Sequence, residues 1–78
     1  MSYYVEVLPN DDGWYVYGFG FATESEAVSL ALCLLKKERY QCAQVFRAPD
    51  NTKSYQHKKK CIRYFGRANG IIWERKQP

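Results

Sequence analysis

The chain reads as an α+β domain in which a single helix packs on a small antiparallel sheet, in the order β-β-α-β-β-β. Three observations predict this. Two runs rich in β-branched and aromatic residues flank a dense turn, a capping box opens an apolar stripe at helical spacing, and further short strand-like runs follow the stripe. With 78 residues the chain makes one domain, 1–78. Its 46% hydrophobic and 17% aromatic content exclude intrinsic disorder, because such a chain can bury enough apolar surface to offset its ordering entropy.

Residues 3–8 and 14–19 form the first hairpin, with Pro9-Asn10-Asp11-Asp12-Gly13 supplying turn chemistry between them. Tyr3, Val5 and Val7 share one face, while Tyr4, Glu6 and Leu8 share the other. Gly18 and Gly20 mark places where a strand bulges or a neighbouring backbone comes close, the expected neighbour being the helix. Thr23-Glu24-Ser25-Glu26 is a capping box, in which the Thr23 hydroxyl accepts from the Glu26 amide and the Glu26 side chain reaches back to the Thr23 amide. Ala27, Leu30, Ala31, Leu34 and Leu35 then recur on one stripe, leaving Ser25, Ser29, Lys36 and Lys37 to solvent. Acids in the first turn and Lys36, Lys37 and Arg39 in the last suit the helix dipole.

A third strand spans 42–48 and stops at Pro49-Asp50-Asn51. Beyond it two readings stand. Residues 59–65 form a strand that pairs with 71–75 across 66–70, or a second helix covers 52–65 with Gly66 as its stop and Tyr55, Ile62 and Phe65 on one stripe. The hairpin is preferred.

Charge divides the chain. The first 35 residues hold no lysine or arginine and carry −5, whereas the rest carries +9, for a net +4. Six of the twelve bases, Lys53, Lys58, Lys59, Lys60, Arg63 and Arg67, fall in a stretch with no acid between Asn51 and Trp73. Interleaved with Tyr55, Tyr64 and Phe65, this is the composition of a surface that neutralises phosphates and stacks on bases. Lysines that keep an exposed edge strand from pairing with other chains would produce the same pattern.

No catalytic constellation emerges. Asp11 and Asp12 are adjacent turn residues, and Gly18-Phe19-Gly20 lacks both the third glycine and the parallel βαβ context of a nucleotide-binding turn. Three cysteines without paired spacing argue for reduced thiols rather than a disulfide framework. His57 and Cys61, joined by Cys33 and Cys42, lack the knuckle of a zinc site, and as a nucleophilic dyad they lack an orienting acid. No metal or cofactor is therefore expected, and the protein reads as a non-enzyme. The longest near-apolar run, 27–35, is too short to cross a bilayer, and the first residues lack the regions of a signal peptide. A cytoplasmic location without a membrane partner is the expectation.

A sheet with one helix leaves a face uncovered, so some of the many rings of the first hairpin must lie there. Exposed Tyr and Trp commonly anchor interfaces. A protein partner, or a homodimer completing a marginal core, follows.

Two families enter at this point. Asp12-Gly13-Trp14-Tyr15-Val16 followed by Thr23-Glu24-Ser25-Glu26-Ala27 is similar to the start of HicB-type antitoxins, which implies a toxin-neutralising partner protein. The whole build, one helix on an antiparallel sheet with polarised charge, resembles small phage-encoded anti-CRISPR proteins. That resemblance implies a phage or mobile-element inhibitor, acting in the host cytoplasm on a protein or nucleoprotein complex. Lys53, Lys58, Lys59, Lys60, Arg63 and Arg67 would then contact phosphates or an acidic protein patch, with Tyr55, Tyr64 or Trp73 as anchors. A stand-alone RNA- or DNA-binding module is the alternative reading, in which nucleic acid is bound directly.

Overall fold

The computed structural model describes residues 2–49 and 60–75. Its elements are β1 (Ser2–Pro9), β2 (Tyr15–Phe21), α1 (Glu24–Leu35), β3 (Tyr40–Ala48), β4 (Lys60–Ala68) and β5 (Ile71–Arg75). The strands form one antiparallel sheet in the order β2-β1-β3-β4-β5, with α1 on one face. This is the α+β order that the sequence predicts.

The helix begins where the capping box places it. Thr23 is extended, and its Oγ1 accepts from the Glu26 amide at 3.2 Å. The return contact differs from expectation, because the Thr23 hydroxyl donates to Glu26 Oε1 at 3.0 Å in place of a bond from the Thr23 amide. At the other end the helix closes at Leu35 with Lys36 as its cap, so Lys37 and Arg39 lie beyond the last turn and not within it. They still sit near the negative end of the dipole.

Alternation along the strands builds the core. Val5 and Val7 of β1, Ala43 and Val45 of β3 and Phe65 of β4 meet Ala27, Ala31, Leu34 and Leu35 of the helix, with Tyr40 closing the cluster. Two alanines one turn apart let the helix approach closely. Leu35 is fully buried, a contribution of about 2–3 kcal/mol. Gly18 confirms the expected close approach, since a Cβ there would lie 2.9 Å from Leu30 Cδ2. Gly20 has another cause: nothing lies within 4 Å, and its φ of +78° is a conformation that side chains disfavour.

The alternative helix over 52–65 fails for residues 60–65, which belong to β4; 52–59 lie outside the described residues. The physical reason is the turn that follows. β4 runs through Gly66 to Ala68, and Asn69 and Gly70, at φ 53° and 79°, make a two-residue turn of the kind that matches strand twist. The predicted five-residue connection over 66–70 is thus a tight hairpin. β5 pairs only with Tyr64–Ala68, so no described strand lies beside Lys60 on that side of β4, where a lysine also serves as edge protection.

A clasp joins distant segments. The Glu38 carbonyl, in the turn after the helix, accepts from Asn10 Nδ2 at 2.6 Å and from Arg67 Nη2 at 2.8 Å, while the Asn10 amide donates to the Arg39 carbonyl at 2.9 Å.

Candidate docking face

The face away from the helix is set by the same alternation that builds the core. Tyr4 pairs with Phe46, Glu6 with Gln44, Gln44 with Tyr64, and Gly66 with Trp73, so these residues line the uncovered side of β1, β3, β4 and β5. Tyr4 is nonetheless only 5% exposed, and it lies outside the core cluster under the helix.

The centre of this face is an aromatic row. Trp73 lies over Gly66 so closely that a Cβ on that glycine would fall 2.2 Å from Trp73 Cζ2. Tyr64 stacks beside it, with centroids 6.0 Å apart and planes at 24°. On the other side Trp14 meets Tyr64 edge-on at 6.0 Å and 62°. Trp14 stands outside β2, in the connection that begins with Asp12 bonding the Gly13 amide, and this connection carries its ring to the open face. The Arg75 guanidinium lies 4.1 Å above the Tyr64 ring, within cation–π range. Tyr64 is held above its ordinary phenol value first by its hydrogen bond with Cys42 and then by burial.

The residues singled out from sequence are dispersed. Tyr64 and Trp73 sit in the row. Lys60 is exposed at the start of β4, opposite Arg47, and neither has a carboxylate partner among the described residues. Arg63 and Arg67 are engaged in structure. Arg63 lies on the helix side, where Nε and Nη2 grip Glu74 at 2.5 and 3.0 Å and Nη1 bonds Glu24 at 3.1 Å. The two carboxylates raise the Arg63 pKa, with Glu74 the larger cause, and Arg63 in return holds Glu74 below the usual carboxylate range. Arg67 serves the Glu38 clasp. Lys53, Tyr55, Lys58 and Lys59 lie outside the described residues.

Trp14 is one of the first-hairpin rings expected on the uncovered face, whereas Arg75 joins the row without a sequence expectation. A signal for Arg75 was available, because an Asn69-Gly70 turn fixes the register and sets Tyr64 opposite Arg75.

The cysteines do not assemble. Cys33 is exposed on the helix, while Cys42 and Cys61 stand on strands at positions facing the other side of the sheet. Burial pushes the Cys61 thiol up, and its proton is directed at the Arg63 carbonyl at 3.5 Å, the reverse of what a thiolate nucleophile requires. Among the described residues no group of three or more His, Cys, Asp or Glu could hold a metal ion, and no helix is long and apolar enough to cross a membrane.

The arrangement suits non-covalent docking. It offers flat rings and one stacked guanidinium. No protein-family model matches this chain, and neither does any curated protein or solved structure.

Proposed function

We propose that this chain is a non-enzymatic binding protein that docks on a partner protein through the uncovered sheet face. On the resemblance of its build to anti-CRISPR proteins, the partner is a component of a host nucleoprotein complex and the chain is a phage or mobile-element inhibitor. The observation that carries the docking reading is the Trp14, Tyr64, Trp73 and Arg75 row. Trp, Tyr and Arg are the residue types that dominate binding energy at protein interfaces, and here they stand side by side with Trp14 39% and Trp73 42% exposed.

A pull-down from host lysate, with and without nuclease, tests this. Capture of the partner is expected to survive nuclease and to fall at least about tenfold for Trp14→Ala, in line with a truncated interface anchor. Capture unaffected by truncation of either Trp14 or Trp73 would sink the reading.

A second reading, direct binding of RNA or DNA, has its own observation. Arg47 and Lys60 face each other across β3 and β4, a like-charge pair that an anionic backbone would relieve. It calls for affinity that falls steeply with salt and a shallower slope when Lys58, Lys59 and Lys60 are replaced by alanine.

A further inference from the structure

The two edges of the sheet are built differently. β2 is blunted against pairing with other chains by the register shifts flanking Val5 and by the left-handed Gly20. β5 carries neither a bulge nor a left-handed residue, its protection being limited to its five-residue length and the charges of Glu74 and Arg75. Its residues Ile71-Ile72-Trp73-Glu74-Arg75 pair with β4 in unbroken register, include no lysine or proline, and leave Ile71 69% exposed at the sheet's margin.

The turn fixes which main-chain groups are unpaired there. A two-residue hairpin turn closes on a pair that exchanges both hydrogen bonds, here Ala68 and Ile71. Alternation then directs the N–H and C=O of Ile71, Trp73 and Arg75 to β4 and those of Ile72 and Glu74 outward.

We propose that β5 pairs antiparallel with β5 of a second copy of this chain, about a two-fold axis at Trp73, joining the two sheets into one. The register follows from the outward groups. With the axis at Trp73, Ile72 stands opposite the second copy's Glu74 and Glu74 opposite its Ile72, so every outward N–H and C=O finds a partner. An axis at Glu74 would oppose two carboxylates, and an axis at Ile72 would run Arg75 against the Asn69-Gly70 turn. At Trp73 no like charges face each other. Ile71 lies opposite the second copy's Arg75 in a pair without main-chain bonds, where side chains are closest. Trp73 faces its mate with its ring drawn back over Gly66, which leaves the axis uncrowded.

One short strand pair makes a small interface of the transient class, so sedimentation should span about 1–100 µM. The wild-type chain is expected to show a monomer–dimer equilibrium in that range. Ile71→Lys, which sets a cation against Arg75 twice by symmetry, is expected to weaken it about tenfold, and Ile71→Glu to match or exceed wild type, both at unchanged Tm. Trp14→Ala leaves the edge intact and should dimerise as wild type. A wild-type chain that is monomeric throughout overturns the proposal. So does a dimer indifferent to charge at position 71, or one lost in Trp14→Ala, which would place association on the open face. The Trp14→Ala arm of the pull-down reads the open face without touching β5, so the two proposals can fail separately.

Discussion

The two sides of β4 are made from alternate residues of one short sequence, and they behave as different materials. On the helix side Arg63 and Phe65 are locked, the first between Glu24 and Glu74, the second in the core at 3% exposure. On the open side Tyr64 and Gly66 carry a row of rings whose outermost members remain in solvent. Arg63 and Arg75 make the contrast sharp. Both have a guanidinium 4–6 Å from a ring, Phe65 at 5.3 Å and Tyr64 at 4.1 Å, yet among the described residues only Arg63 of the two is bridged to acids. For Arg63 and Arg75 it is the face of the sheet, not the charge of the neighbours in sequence, that separates the bridged guanidinium from the open one.

If the helix side holds the fold and the open side holds the partner, substitutions should separate the two. The largest effect is expected for Leu35→Ala. Removing a fully buried leucine costs about 3 kcal/mol in chemical denaturation, while the protein that remains folded captures its partner as wild type does.

Gly66→Ala comes next and tests the open side. The new methyl must displace Trp73, an overpacking cost of about 1–3 kcal/mol that the lower freedom of alanine in the unfolded chain offsets by about 0.4–1 kcal/mol. A net loss of about 1 kcal/mol with a changed tryptophan emission is expected. Unchanged emission would mean that the ring does not rest on the glycine.

Glu74→Gln gives the smallest effect and refines the helix side through pH. Arg63 holds the Glu74 carboxyl below its ordinary range, so the pair stabilises the fold above the unfolded glutamate value and loses that contribution as pH falls through the native value. Both side chains are a third or more exposed, so water screening limits the effect to about 1 kcal/mol or less at neutral pH. The difference between wild type and Glu74→Gln in urea denaturation should vanish in acid. A difference that persisted there would assign it to packing.

Much of the fold was legible because it rests on local chemistry. The capping box, the helical stripe and the turn over 9–13 are decided within a few residues. The docking face was only half legible, since Tyr64 and Trp73 stood out but their companions are set by register. Arg63 meets Glu24, 39 residues away, and Glu74, 11 away, so an acid-free stretch in sequence is not acid-free in space. Trp14 reaches Tyr64 only because β3 folds back beside β1 and β4 beside β3. One local signal was available and misjudged: reading 66–70 as a loop hid the Asn69-Gly70 turn that would have paired Tyr64 with Arg75.

The pairing of Arg47 with Lys60 has a consequence for how this chain can vary. Like charges directly opposed on neighbouring strands, one strand spacing or about 5 Å apart, are destabilising. Exchanging either residue for an acid relieves that repulsion and tightens this end of the β3–β4 ladder, so the charge at this pair can change sign while the sheet stays as it is.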